Sequence, residues 1–245
     1  MVFYYKTKKD FDFSEGEILL IDKPLEWTSF DVVNFYRKLL NKVLKIRKIK
    51  IGHAGTLDPL ATGLLILCTG KLTKKIEQIQ NQEKEYTGTF TLGATTPSYD
   101  KETEVDNTFP TENLSEVLIH ETTKKFVGTI EQIPPIFSAK KINGKRAYEY
   151  ARKKDDSIVM QSKKISIKTF EITNINIPFV DFRVLCSKGT YIRSLAYDFG
   201  KALNNGAYLS SLCRTKIGDY DLANAYKIQE LKEKIVEFSM RKQQN

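Results

Sequence analysis

With 245 residues, 41% hydrophobic and 28% charged, the chain can bury a sizeable core as one large domain or two lobes. No apolar run approaches the length that spans a bilayer, residues 1–9 lack a signal-peptide apolar region, and the three scattered cysteines (Cys68, Cys186, Cys213) have no Cys-x-x-Cys spacing, which together point to a reducing cytoplasm without a disulfide framework. Only two histidines are present, so a transition-metal site is not expected, and the net charge of +9 favours a polyanionic partner, nucleic acid being the commonest, although lysine enrichment alone gives the same balance.

Residues 17–22 (Glu-Ile-Leu-Leu-Ile-Asp) read as a buried strand ended by Lys23-Pro24. Thr28 or Ser29 can cap a helix over about 30–40, whose Val32, Val33, Tyr36, Leu39 and Leu40 fall at helical spacing. Residues 42–50 form a basic connector, either a strand with one solvated face or a nucleic-acid contact. A core strand over 64–68 and a helix over 72–79 follow, and Tyr86, Gly88, Phe90 and Leu92 then alternate with polar residues as in a half-buried strand. After a polar loop over 94–110 comes a helix over about 114–126. Ile133-Pro134-Pro135-Ile136 cannot lie inside a central strand, because neither proline donates to a ladder. Asn143-Gly144 signals a tight turn, and residues 146–154 read as a basic, aromatic helix. Strands over about 165–175 and 179–186, a helix over 191–203 and a last helix over 228–241 complete the chain. Strands and helices mix without strict alternation, which predicts an α+β fold with substantial antiparallel pairing.

The stretch Gly52-His53-Ala54-Gly55-Thr56-Leu57-Asp58-Pro59-Leu60-Ala61-Thr62-Gly63 stands out, with one carboxylate, one imidazole and three glycines in twelve residues. Read alone it has two explanations. Asp58 can be the N-cap of a helix with Pro59 at its first position, or a reactive group on a loop whose glycines allow close approach to a ligand.

The loop resembles the catalytic motif of the TruB family of tRNA pseudouridine synthases. The likeness continues in order through Asp22-Lys23-Pro24 with Trp27-Thr28-Ser29, Lys84-Glu85-Tyr86 leading to Leu92-Gly93, and Pro134 to Gly144. Lys188-Gly189-Thr190-Tyr191-Ile192-Arg193-Ser194-Leu195 and Leu-Ser-Ser-Leu-Cys-Arg-Thr at 209–215 complete it, so that the matches cover about residues 17–225. The resemblance implies a pseudouridine synthase fold, a mainly antiparallel central sheet flanked by helices with an RNA-clamping insertion. It implies a catalytic domain over 1–225, including a mobile basic loop at about 138–160, then a short C-terminal helix over 226–245 with no PUA domain.

The implied reaction needs no metal and no organic cofactor: a uridine is detached from its ribose, turned, and rejoined through carbon. Asp58 matches the nucleophile, which attacks either the ribose C1′ or the uracil C6. Arg193 matches the arginine that pairs with that aspartate, and Tyr86 the tyrosine that stacks on the target base. Among substrate-binding positions, His53 matches the histidine that lies against the opened T-loop, and Asp100 an acidic residue that braces the arginine, although Thr96-Pro97-Ser98-Tyr99 departs from the family's pattern. Leu212 matches an apolar residue closing the pocket, Tyr191 lies in the arginine motif, and Lys23 supports the catalytic loop.

The implied partner is the T-arm of tRNA, modified at position fifty-five by a monomer, without membrane or metal. The target base must leave its stack to be reached, at a cost of a few kcal/mol. Lys140, Lys141, Lys145, Arg146, Arg152, Lys153 and Lys154, with Tyr148 and Tyr150 among them, are expected RNA contacts. Two other readings are a tRNA-binding or tRNA-folding module with secondary catalysis, and a guide-RNA-dependent synthase. The chain lacks the long basic tails of the guide-dependent relatives, which favours a stand-alone enzyme of bacterial type.

Overall fold

A computed structural model describes residues 10–46, 48–137, 141–142, 145–146 and 160–244. In chain order the elements are β1 (Ile18–Lys23), α1 (Ser29–Leu44), β2 (Ile51–His53), β3 (Ala61–Thr69), α2 (Ile76–Gln80), β4 (Lys84–Leu92), β5 (Ala94–Thr95) and β6 (Asn107–Thr108). There follow α3 (Glu116–Thr123), β7 (Gly128–Gln132), β8 (Lys141–Ile142), β9 (Lys145–Arg146), β10 (Lys163–Asn176), β11 (Phe179–Cys186) and α4 (Ile192–Ala202). The last are β12 (Ala207–Ile217), β13 (Tyr220–Asp221), β14 (Tyr226–Lys227) and α5 (Ile228–Gln244). The chain divides into two compact units, Met1–Tyr86 with Cys213–Asn245, and Thr87–Leu212.

In the first unit β1 runs antiparallel to β3, from Ile18 opposite Cys68 to Lys23 opposite Gly63, and parallel to β14 on its other side. One face of this pair packs Leu19, Ile21, Leu65 and Leu67 against Val32, Val33, Tyr36 and Leu40 of α1 and Leu231, Ile235 and Phe238 of α5. The opposite face packs Ile18, Leu20, Leu64, Ile66 and Cys68 against Ile79, Ile217 and Ala225. Burial on both faces explains why these strands read as continuous apolar runs rather than alternating ones. Thr28 caps α1: its hydroxyl accepts from Asp31 N at 3.0 Å, and the Asp31 carboxylate accepts from Thr28 N at 2.9 Å. The helix runs on to Leu44, four residues past its predicted end, and closes on Lys45 in the left-handed conformation.

In the second unit β10 pairs antiparallel with β7, Ile167 opposite Gly128 through Lys163 opposite Gln132, and with β11 on its other edge. Its core is aromatic. Phe90 stacks on Phe182 at 4.2 Å, Phe170 meets both edge-on, and Phe199 packs at tilted angles beside Phe90 and Phe170.

The α+β class is as expected, and the differences from the sequence reading are local. Residues 94–110 hold the short β5–β6 ladder, Ala94 opposite Thr108, too brief to show a pattern. The 72–79 segment opens as a tight 3-10 turn over Gly70–Lys75 before α2. Arg146 belongs to β9, which pairs with β8, rather than to a helix; the turn residues 143–144 and the rest of that expected helix lie outside the described residues. So do the side chains of the basic segment 138–159.

Candidate active site

The predicted site residues Lys23, His53, Asp58 and Tyr86 belong to the first unit. Asp58 is not a helix cap. Residues 58–61 form a turn in which Ala61 N donates to Asp58 O at 3.1 Å, and Ala61 begins β3. The cap reading is therefore excluded. The backbone is fastened on both sides of the aspartate. Before it, the buried Ser29 hydroxyl accepts from Leu57 N at 2.8 Å and donates to Leu57 O at 3.0 Å. After it, Glu26 N donates to Pro59 O at 2.8 Å. Lys23, completely buried, donates from Nζ to Trp27 O at 2.6 Å, Pro24 O at 2.9 Å and Pro59 O at 3.4 Å. These bonds tie Lys23 to the turn that carries Asp58.

A further fastener, to which the sequence alone gives no role, lies in the 209–215 motif. Arg214 of β12 is 1% exposed, and its guanidinium donates to Leu64 O at 2.8 Å, Gly55 O at 3.0 Å and Thr56 O at 3.3 Å. One planar fork thus ties three carbonyls on either side of the aspartate. Gly63 shows how close this approach is. Its φ is +98°, and a Cβ there would lie 2.4 Å from the Arg214 carbonyl oxygen. A Cβ on Gly52 would lie 2.9 Å from Ile76. At Gly63 the requirement for glycine is thus internal, since a side chain there would meet the Arg214 backbone, whereas at Gly52 the neighbour is only the tip of the Ile76 side chain.

Two buried cations therefore hold the loop that carries the carboxylate. Burial pulls the Lys23 ammonium down to about 8; the Asp58 charge opposes this, and the Arg214 charge adds to it. The same two causes, burial first and Arg214 second, lower the His53 imidazole, against a smaller upward pull from the Gly55 backbone. His53, on β2 opposite Leu67, is thus a neutral ring at pH 7, suited to stacking and single hydrogen bonds. Tyr86 lies in β4 and is 8% exposed.

Asp100, Tyr191, Arg193 and Leu212 belong to the second unit. Here Arg193 Nη1 lies 3.4 Å from Asp100 Oδ2, with both side chains below a tenth exposed. The other carboxylate oxygen, Oδ1, accepts from Ser98 Oγ at 2.6 Å and from Glu102 N at 2.9 Å, while Thr96 Oγ1 donates to Asp100 O at 2.7 Å. The residues that depart from the family's pattern are thus the ones that orient the acid. A buried pair is retained only when such bonds satisfy its remaining atoms. The N-terminus of α4 has no capping side chain at Tyr191. Buried Gln132 instead fixes the cap residue itself: its Oε1 accepts from Tyr191 N at 2.8 Å, and its Nε2 donates to Tyr191 O at 3.0 Å. Ser194 Oγ adds a bond to Ile133 O at 2.7 Å. Gln132 was also missed, and no sequence signal singles it out. The ring of Tyr191 and the side chain of Leu212 are half-buried.

Among the described residues no three His, Cys, Asp or Glu side chains are grouped to hold a metal ion, and no helix is long and apolar enough to cross a membrane. In the first unit, then, a carboxylate stands on a clamped loop carried by a mixed sheet. Among solved structures, a chain of a Cbf5–Nop10–Gar1 complex is 29% identical with a TM-score of 0.68, over 90% of this chain and 54% of that one. A chain of an H/ACA RNP bound to a substrate RNA containing 2′-deoxyuridine is 26% identical with a TM-score of 0.64, over 89% and 53%. The present chain spans about half the length of those chains.

The model of the TruB family pseudouridylate synthase N-terminal domain matches residues 41–192. The tRNA pseudouridine synthase B of Flavobacterium johnsoniae is 64% identical over 225 residues, 91% of this chain and 98% of that protein. Its counterpart from Phocaeicola vulgatus is 53% identical over 222 residues, 91% and 94% of the two chains. The chain belongs to the TruB family of pseudouridylate synthases, as its ordered motifs imply.

Proposed function

We propose that this protein isomerises uridine to pseudouridine in tRNA, at position fifty-five of the T-loop, with Asp58 as the nucleophile. The observation that carries the reading is the loop itself. Lys23, Ser29 and Arg214 fix the backbone at residues 55–57, 59 and 64, while the Asp58 side chain stays partly exposed. Rigid placement of a reacting group is what converts binding into rate. The names of the relatives support the substrate class.

In this reaction the C1′–N1 bond breaks and a C1′–C5 bond forms. The C5 proton is lost and N1 gains one, so no atom is added or removed overall. Asp58 bonds transiently to C1′ or to C6 and leaves again. Tyr86 stacks on the base, neutral His53 lies against the opened T-loop, and Leu212 and Tyr191 line the substrate's site. Arg193, held by Asp100, is the reaction's arginine. Unstacking the base takes a few kcal/mol, offset by stacking and phosphate contacts. A cleft of about 450 Å³ in the first unit, lined by Lys48, Lys50, Lys71 and Lys74, offers cations for the latter.

The test is chemical mapping of pseudouridine in an unmodified tRNA transcript after incubation with wild type or Asp58→Asn, without any added RNA or protein. Product at position fifty-five from wild type alone is expected. Equal product from both would remove Asp58 as nucleophile, and binding without product from wild type would favour a binding module. Turnover only after adding a guide RNA would favour guide-dependent action.

A further inference from the structure

The Arg193–Asp100 pair has a neighbour that joins the same two backbone segments. Tyr197 stacks on Tyr99, with ring centroids 4.1 Å apart and planes inclined by 17°. Tyr99 immediately precedes Asp100, and Tyr197 follows Arg193 by four residues, one turn along the same face of α4. The bonds from Thr96, Ser98 and Glu102 run within the 96–102 loop. The ion pair and the ring stack run from that loop to α4.

Tyr99 holds an unusual backbone conformation. Its φ is +63°, a region that bulky residues rarely enter and keep only when their surroundings over-determine it. Tyr99 N donates to Thr96 O at 3.0 Å, its carbonyl accepts from Leu209 N at 2.9 Å, and its ring lies on Tyr197. Lys201 Nζ stands 5.5 Å from the Tyr197 ring centroid, and both tyrosines line a cleft of about 510 Å³ with Lys201 and Asp106. The ion pair, at 3.4 Å, is longer than the roughly 2.7–2.9 Å of a tight charge-assisted hydrogen bond, and by itself fixes direction weakly. A near-parallel ring stack constrains both separation and tilt.

We propose that the Tyr99–Tyr197 stack is a positioning device: it sets the 96–102 loop against α4 so that Asp100 meets Arg193 in one geometry. This role rests on the reading of Arg193 as a residue of the reaction.

The experiment compares initial rates on an unmodified tRNA transcript, with folding checked by circular dichroism. Tyr197→Ala is expected to lower kcat by roughly threefold to tenfold, the scale of an aromatic pair, with KM for tRNA unchanged. Tyr197→Phe, which keeps the ring, restores the rate. Tyr99→Gly removes the other ring while suiting the positive φ, so it tests the stack even if Tyr197→Ala fails to fold. In an Asp100→Asn background neither substitution lowers kcat further, because the group being positioned is already lost. Wild-type kcat in the folded ring variants, or losses that multiply with Asp100→Asn, overturns the proposal. A wild type with no activity on tRNA overturns instead the reading beneath it, and this role with it.

Discussion

The carboxylate of Asp58 and the guanidinium of Arg193 lie in different units of the chain, and the two units hold them by different means. Around Asp58 the fixing is done on the backbone, by buried cations that donate to carbonyls, and the carboxylate itself stays partly exposed. Around Arg193 the side chain itself is taken, buried against Asp100 and carried on a helix whose first turn is held by an amide. The first arrangement fixes the backbone that carries a partly exposed carboxylate. The second withdraws a charge from water and depends on complete pairing to do so. Damage to the first should appear in the loop's position, and damage to the second in the start of α4.

The largest expected effect comes from Arg214→Met, which keeps much of the stem but strips three carbonyls of their donor. Unfolding free energy should fall by roughly 2–4 kcal/mol, since buried acceptors left unpaired cost about 1–3 kcal/mol each and neighbours relax in part. Pseudouridine formation should drop along with it although no reacting group is removed. Denaturant unfolding and the tRNA assay check both, and a variant as stable and active as wild type would show that the loop does not depend on this clamp. Gln132→Leu should do less. It orphans one N–H at Tyr191 and should cost about 1–2 kcal/mol. Gln132→Glu should recover part of this, since a carboxylate still accepts from Tyr191 N. If the two variants were equally destabilised, the acceptor half of the amide would not be what holds the helix start.

The contrast between the units also explains what could be read from the sequence. The α+β class, β1, α1 with its Thr28 cap, and the β10–β11 pair were legible because apolar periodicity and local capping chemistry state them directly. Asp58, Arg193 and Asp100 came from motif resemblance, which also implied that the acid braces the arginine; the structure places the two side chains 3.4 Å apart. Strand β12 was not read as a strand, because its burial loses phase: Ala207 and Leu209 are buried, Ser211 is exposed, and the buried positions resume at Arg214 and Ile217. An arginine at a buried strand position looks like a surface arginine until the register is known. Gln132 is harder still, since its role exists only through a backbone 59 residues away in sequence. Clamps made from side chain to distant carbonyl leave no periodic trace.

A pH-dependent effect separates the two buried cations that hold the Asp58 loop. Arginine stays charged at any accessible pH, whereas the Lys23 ammonium, pulled down to about 8 by burial, titrates. In the unfolded chain that lysine holds its proton up to about 10.4. Between the two values the unfolded state binds more protons than the folded one, so stability should rise with pH across roughly 8 to 10.4 relative to a chain without the group. Below pH 8 both states are protonated and the full cost of burying the ammonium is present; above the window it is gone. Deprotonation leaves one lone pair and two N–H groups facing three carbonyls, of which Pro59 O at 3.4 Å is the most weakly held. The gain in stability should therefore come with a looser hold on the Asp58 turn. Denaturant titrations of wild type and Lys23→Met across this range isolate the term. Parallel pH profiles for the two proteins would mean that burial does not hold the Lys23 ammonium below its ordinary value.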